Sequence, residues 1–346
     1  MESDNGLEWQ RPHLELPDPA PINFGASLID EGPSFRDWMR RYKMVWDRNG
    51  VMMATSPDGR AWRAVRETPV VRGTGDAVCI SRDPYRNRYI VVARTSSGER
   101  RVLGQATSED AFEWTRVAEA IVPDDGDPPG SGFYSMSNLL ARGGLLIGLL
   151  KVLVDGVPAE PRGTVGGIGY TVLAWTRDGT VWNHDHEAFL DRNAEPNTWD
   201  RAVAWGDCLL PVDDEVFIYY GGYRQGHKID RFTDRQLGFA RIMRDRYVAR
   251  QAGPDGGVLR TPPVVLDGSP LTVNADVAGE LRVRILDLDG RPIWNFDATD
   301  CLPVRGDSLA HPVRWRRAVR PPADVPLQLE FLLRDASLYA LGVGGG

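Results

Sequence analysis

Ser56-Pro57-Asp58-Gly59-Arg60-Ala61-Trp62 is the stretch that decides the fold, because a polar turn followed by tryptophan occurs four times along the chain. The other copies are residues 3–9, 108–114 and 176–182, so successive tryptophans are 53, 52 and 68 residues apart. Asp-Gly supplies the positive-φ turn of a tight hairpin, and an aromatic residue just beyond it can pack across a sheet. Each copy therefore predicts a strand–turn–strand corner.

Short β-rich runs separated by turn residues fill the intervals between these corners. The runs are residues 42–46, 77–81, 89–94, 145–154, 169–176 and 216–220. Four strands in about 50 residues is the content of one blade of a β-propeller. After about residue 257 the repeat stops, and alternation of apolar and polar residues from Leu281 to Ile285 indicates strands with one dry face. The sequence thus predicts an all-β protein with a β-propeller over residues 1–256 and a small antiparallel β-sandwich over 257–346.

Composition excludes several classes of function. The chain carries 48 acidic and 41 basic side chains, a net charge of −7, whereas a nucleic-acid binder needs a basic face. The longest apolar stretch, residues 145–154, falls short of the roughly 20 residues of a membrane span. Cys79, Cys208 and Cys301 are far apart and are expected to be reduced. We expect a cytoplasmic protein that binds neither nucleic acid nor membrane, with an exported precursor and the oligomeric state left open.

Seven short motifs, taken in their order along the chain, resemble those of a known family. They are Arg41-Tyr42-Lys43-Met44-Val45, Ser56-Pro57-Asp58-Gly59, Asp83-Pro84 with Arg88-Tyr89, Tyr219-Tyr220-Gly221-Gly222, Ile285-Leu286-Asp287, Gly306-Asp307-Ser308 and Leu333-Arg334-Asp335-Ala336. With them the chain resembles, over nearly its whole length, the five-bladed propeller proteins related to invertase-type and arabinanase-type glycoside hydrolases, in which a β-sandwich follows the propeller. The resemblance implies sugar chemistry without naming the sugar. Because residues 3–9 correspond to the end of the family's first blade, that blade is expected to be incomplete.

Two carboxylates are the leading catalytic candidates. In a propeller, side chains at the entrances of the inner strands converge over the central channel. The repeat places Asp76 and Asp200 at equivalent entrances of different blades. Glycoside hydrolysis needs one carboxyl group to protonate the leaving oxygen and another as nucleophile or base, and Glu195 in the preceding loop is a third candidate acid. The alternative is that both aspartates cap loops and that Glu195 is a solvated loop residue.

Polar and aromatic residues near the same entrances are candidates for holding a sugar, although each could instead be an ordinary packed or surface residue. They are Asn23, Arg94, Tyr134, Trp199, Arg224 and His227. Arg94 could alternatively hold a carboxylate rigid. His184 and His186 lie two residues apart, but no third ligand stands at a recognisable spacing, so the sequence predicts no metal and no cofactor.

The leading functional hypothesis is a glycoside-hydrolase-like protein that cleaves a glycosidic bond in a small saccharide or a glycan end. Its partner would be a carbohydrate small molecule. The alternatives are a catalytically inactive carbohydrate-binding or scaffold propeller, and a fragment of a longer enzyme.

Overall fold

The computed structural model describes residues 3–10, 25–98, 100–229, 234–318 and 320–344, without the side chains of Ser96 and Ser97. The chain divides into two compact units, one of residues 1–210 and 217–240, the other of residues 211–216 and 241–346. The predicted all-β class is confirmed, because the regular elements in the described ranges are strands apart from one 3₁₀ turn, Trp38–Arg40. No helix in these ranges has the length and apolar character that crossing a bilayer requires.

The first two sheets of the first unit are four-stranded antiparallel meanders. The first consists of β1 (Ser27–Asp30), β2 (Tyr42–Asp47), β3 (Val51–Ser56) and β4 (Arg63–Ala64). The second consists of β5 (Gly75–Asp83), β6 (Arg88–Ser97), β7 (Arg100–Ser108) and β8 (Ala118–Ile121).

The third and fourth sheets are joined by one parallel pair, Gly169 with Val203. The third consists of β9 (Ser131–Met136), β10 (Leu140–Arg142), β11 (Leu145–Val154), β12 (Ile168–Thr176) and β13 (Asn183–His184). Both β9 and β10 pair with β11, as one interrupted first strand. The fourth consists of β14 (Val203–Val212), β15 (Glu215–Tyr223) and β16 (Arg235–Met243).

Successive sheets pack face to face through the apolar alternation of their strands. On β6, Val91 belongs to the core shared with the first sheet, and Ile90 and Val92 belong to the core shared with the third. This is the period of two that a strand imposes on its side chains. The first strands of the second and third sheets contact the preceding sheet, β5 against β1 and β2, and β9 against β5, β6 and β7. These are the contacts expected of propeller blades. The number of blades and the incomplete first blade remain predictions.

The turns before the repeated tryptophans, here called the Trp corners, share one hydrogen-bond pattern. After β3, the Ser56 hydroxyl accepts from the Gly59 amide at 2.9 Å. The Asp58 carboxylate accepts from the amides two and three residues further on, at 2.8 and 2.9 Å. These amides hold the pKa of Asp58 below its usual range. Gly59 has φ +73°, which favours glycine, and its carbonyl accepts from the Trp62 indole at 3.0 Å.

The other three Trp corners repeat the carboxylate or amide cap, with Asn5, Asp110 and Asp178 as acceptors. The corner after β12 differs in its tryptophan. The Trp182 indole donates to the Gln105 side chain on β7 at 2.8 Å, and the Gln105 amide donates to the Gly179 carbonyl at 2.8 Å. This buried pair of bonds ties the corner to the neighbouring sheet.

The second unit contains one antiparallel sheet centred on two long strands. Its strands are β17 (Arg250–Ala252), β18 (Gly257–Arg260), β19 (Val264–Val265), β20 (Leu271–Leu286), β21 (Val304–Pro312) and β22 (Pro326–Val343). The inward residues of β20, including Leu281, Val283 and Ile285, are fully buried in its core. Because β17 pairs with β22, residues ahead of 257 group with this unit, and the boundary at 256/257 remains a prediction.

Candidate functional site

Four rings from separate segments of the first unit form an aromatic cluster, composed of Tyr134, Trp205, Tyr223 and His227. Tyr134 on β9 stacks on Trp205 of β14 with ring centroids 4.5 Å apart, and His227 lies 5.0 Å from the Tyr134 ring. The Trp205 indole donates to the Val152 carbonyl at 2.9 Å. The rings of Tyr134, Trp205 and His227 are buried, and the cluster joins side chains from the third and fourth sheets.

Asp76, directly before Ala77 on β5, has an uncommon backbone conformation. It has φ +69°, a left-handed conformation uncommon outside glycine, where the register of β5 against β6 shifts after Gly75. Such strain costs on the order of 1–3 kcal/mol and concentrates at functional sites. The Arg94 guanidinium lies 3.3 Å from the Asp76 carboxylate, and both side chains are partly exposed. Arg94 thus holds the carboxylate of Asp76 in an ion pair.

Asp200 is buried against aromatic rings of the fourth sheet. The Tyr220 hydroxyl donates to Asp200 Oδ2 at 3.1 Å. Burial, together with the charge of Asp200 and this bond, raises the pKa of Tyr220 to about 12. Asp200 Oδ1 is buried without a hydrogen-bond partner among the described residues. Trp199 stacks on Tyr220 with ring centroids 5.5 Å apart.

Trp199 lies over glycines that leave room for it. A Cβ atom on Gly222 would lie 2.2 Å from the Trp199 ring, and one on Gly238 would lie 2.3 Å from the Tyr220 ring. Neither position can carry a side chain without a rearrangement. Glycine at both positions is therefore what lets the rings of Trp199 and Tyr220 pack against the backbone of β15 and β16.

Residues close in sequence to the two candidate carboxylates belong to one packed group of side chains. Ala77, directly after Asp76, and Ala202, two residues after Asp200, both pack with Tyr134 and Trp205. Of the residues expected to bind a sugar, the structure therefore brings Tyr134 and His227 together, pairs Arg94 with Asp76, and places Trp199 beside Asp200 and Tyr220.

The remaining predicted residues are less closely tied to these contacts. Glu195 is exposed in the loop before Trp199, and its side chain makes no hydrogen bond or ion pair within the described part of the chain. Arg224 is half exposed, with its guanidinium 3.7 Å from the Asp234 carboxylate. Asn23 lies outside the described residues.

Sequence reasoning missed Trp205, Tyr220 and Tyr223. Trp205 lies in the buried run 202–206, and the alternation of β14 turns it to the same side as Val203, but nothing in the run separates a binding surface from an ordinary core. Tyr220 lies within the Tyr-Tyr-Gly-Gly motif. The second glycine of this motif, Gly222, lies under the Trp199 ring, so the paired glycines were the sequence signal for aromatic packing here.

The three cysteines are free thiols, as expected from their spacing. Cys79 on β5 is buried and donates to the Ser137 carbonyl at 3.1 Å. Burial raises the pKa of the Cys79 thiol, so this group is a neutral donor and not a nucleophile.

A second polar group, here called the His/Asp cluster, consists of Asp124, Asp127, His184 and His186. One ligand atom from each side chain lies within 4.8 Å of the others. His184 Nε2 is 3.0 Å from Asp127 Oδ2, and His186 Nε2 is 2.7 Å from Asp124 Oδ1. The Gly126 amide, and then the His186 ring, hold the pKa of Asp124 below its usual range. The aspartates were missed because more than 50 residues separate them from the histidines.

No protein-family model and no curated protein matches the sequence. Among solved structures, an N-acetylgalactosamine deacetylase from F. plautii, in complex with blood group B trisaccharide, is 12% identical with a TM-score of 0.49, and the match covers 71% of this chain and 80% of that one. A thermostable family-43 glycoside hydrolase is 12% identical with a TM-score of 0.43, covering 64% of this chain and 70% of that one.

A further similar structure is the β-1,2-mannobiose phosphorylase from Listeria innocua, in complex with β-1,2-mannobiose. It is 14% identical with a TM-score of 0.37, and the match covers 55% of this chain and 48% of that one. At these identities and TM-scores, the similarities carry no inference about the chemistry of this chain.

Proposed function

We propose that this protein binds a saccharide beside the aromatic cluster, against Trp199, and cleaves a glycosidic bond there with Asp76 and Asp200. The observation that carries the proposal is that residues close in sequence to the two carboxylates, Ala77 and Ala202, pack in one buried group with Tyr134 and Trp205. Sugar rings pack on aromatic faces and present hydroxyl groups to a small number of polar side chains. Trp199, which is partly exposed next to Asp200, supplies such a face, and the buried rings of Tyr134 and His227 support the neighbouring backbone.

The partners of the two carboxylates support different roles for them. The ion pair with Arg94 holds the carboxylate of Asp76 in place, which suits a nucleophile or a general base that must keep a fixed orientation. Asp200 accepts from Tyr220 on one oxygen, and its other oxygen has no partner within the described residues, so that second oxygen is the one available to exchange a proton with the leaving oxygen. Glu195 is exposed on a loop and is the reserve candidate for the acid.

Substitution of each carboxylate tests the proposal. The purified protein is assayed on a panel of aryl glycosides and oligosaccharides, and we expect Asp76→Asn and Asp200→Asn to lower turnover by about 10²–10⁴-fold. Glu187→Gln, an exposed carboxylate outside the site, serves as the control and should keep full turnover. Circular dichroism of each variant establishes that the fold is intact. Full turnover in both folded aspartate variants would falsify the assignment.

A second candidate is a carbohydrate-binding propeller without catalysis. The observation that favours it is that both carboxylates already have partners of their own, Arg94 and Tyr220. In that case a glycan array would show binding with no cleavage of the bound glycan. Asp76→Asn would then leave affinity nearly unchanged, whereas Trp199→Ala would weaken it.

A further inference from the structure

We propose that the His/Asp cluster is a zinc site that fastens the loop of residues 122–130 to the outer strand of the third sheet. The site is independent of the proposed catalytic residues, and it departs from the expectation of no metal that the sequence alone supports. Its four side chains come from two segments of the first unit, the loop between β8 and β9 and the segment that begins at β13.

The two histidines project together because of strand geometry. His184 belongs to β13, which pairs with β12 through Ala174, and side chains at positions i and i+2 of an extended segment point to the same side. The two imidazole rings accordingly lie with their centroids 5.0 Å apart. One edge of this outer strand thus presents two nitrogen ligands toward the loop.

The loop turns one oxygen of each aspartate toward these nitrogens. Asp127 Oδ2 accepts from the Asp124 amide at 2.9 Å, and Asp124 Oδ1 accepts from the Gly126 amide at 2.8 Å. A Cβ atom on Gly126 would lie 2.5 Å from the His186 ring, so glycine is required for this close approach. The loop conformation therefore fixes the carboxylates and leaves space for the ring.

The size of the cluster fits a small metal ion after modest adjustment. A tetrahedral zinc site with bonds of about 2.0–2.2 Å places its ligand atoms about 3.4 Å apart. The observed separations include 2.7, 3.0 and 4.0 Å, and none exceeds 4.8 Å. Two of the ligands are already well enclosed, since the side chains of Asp127 and His184 are 2% and 6% exposed.

Charge and donor chemistry select the ion. The two carboxylates face imidazoles and form no ion pair with arginine or lysine in the described ranges, although Arg100 and Arg101 line the same cavity of about 480 Å³. A divalent ion would neutralise both. Imidazole nitrogen suits zinc and disfavours calcium and magnesium, which take oxygen ligands. Four protein ligands and no open position are typical of a structural zinc site.

The test uses the full chain without a polyhistidine tag, stripped with a chelator and titrated with ZnCl₂ by calorimetry. We expect one zinc ion per chain, with micromolar or tighter affinity, and a higher melting temperature with zinc than without. Asp124→Asn and His186→Asn alter the two more exposed ligands and should each lower zinc affinity by at least about tenfold and remove the thermal shift. Asp125→Asn, with the same charge change in the same loop, should behave as wild type.

Wild-type protein that takes up no zinc, or variants that bind it as tightly as wild type, would overturn the proposal and leave two ordinary His–Asp hydrogen bonds. An equal thermal shift with CaCl₂ or MgCl₂ would overturn the assignment to zinc. Asp76→Asn should bind zinc normally, so failure of the proposed hydrolase activity and failure of the zinc site are separate results.

Discussion

The two candidate catalytic aspartates, Asp76 and Asp200, and the aspartates of the His/Asp cluster differ in the groups that face them. Asp76 faces a guanidinium and Asp200 faces a phenol, groups that hold a carboxylate in place without a further ligand. Asp124 and Asp127 face imidazole nitrogens, which can bind a metal ion when neutral. The difference teaches that the partner of a carboxylate, more than its burial, indicates what it can do.

The largest effect, on turnover, is expected from substitution of Arg94, the partner of Asp76. We expect Arg94→Met to lower turnover by roughly 100-fold, because a carboxylate released from its ion pair loses the orientation that reaction requires. The free energy of unfolding should change by less than about 1 kcal/mol, since the pair is partly exposed. Steady-state kinetics and urea unfolding measure the two quantities.

Arg241→Met provides the control, because Arg241 forms an exposed ion pair with Glu215 at 3.1 Å. It should leave turnover unchanged. If Arg94→Met also kept full turnover, the pairing with Asp76 would be structural only, and the contrast between the two clusters would rest on Asp200 alone.

A smaller effect, on stability, is expected at Tyr220. Tyr220→Phe removes the donor to Asp200 and leaves a buried carboxylate oxygen without its hydrogen bond, which should cost about 1–3 kcal/mol in the free energy of unfolding. Urea unfolding at pH 7 measures the change. Tyr219→Phe is the neighbouring control. Its hydroxyl donates to a neutral backbone carbonyl, that of Gly6, at 2.8 Å and not to a buried carboxylate, so its loss should cost less. Equal costs for the two variants would argue against a special role for the Tyr220–Asp200 bond.

The smallest effect, on the pH dependence of stability, is expected at the Trp corners. Their aspartates accept backbone amides, unlike the aspartates that face arginine, tyrosine or histidine. Amide hydrogen bonds lower the pKa values of Asp58, Asp110 and Asp178 in the folded state. The stability they contribute is therefore present above the unfolded pKa near 3.8 and is lost as pH falls through the folded values.

The triple variant Asp58→Asn, Asp110→Asn, Asp178→Asn should keep the caps, because Asn5 already accepts the same two amide bonds in the first corner. We expect its melting temperature to fall less steeply than that of wild type between pH 4 and pH 2, by a few degrees over that range. Melting curves at pH 7, 4, 3 and 2 measure the slope. Identical slopes for the two proteins would mean that other carboxylates control acid unfolding.

Local patterns predicted much of the fold. The Trp corners, the strands between them and the alternation of β20 depend on turn chemistry and on the period of two along a strand, and both act between residues close in sequence. The grouping of β17 with β22 could not be predicted this way, because Arg250 pairs with Leu338 across nearly 90 residues. The bond from Trp182 to Gln105 was likewise hidden, since its corner has the same sequence pattern as the others.

The candidate site was predicted in part for the same reason. The blade repeat picked out Asp76 and Asp200 as equivalent positions, and their roles remain predictions. The repeat could not indicate that Tyr220 bonds to Asp200, that Trp205 stacks on Tyr134, or that Asp124 meets His186, because these pairs join different turns or strands.

The sequence by itself determined that this protein is built of strands, where its corners turn, and that its net charge is negative. Those properties follow from composition and from short-range spacing. Only the tertiary structure decided which carboxylates face a cation, which face a phenol and which face imidazoles. Packing of successive sheets brings residues from separate segments to within a few ångströms of each other, and no short-range pattern encodes those distances.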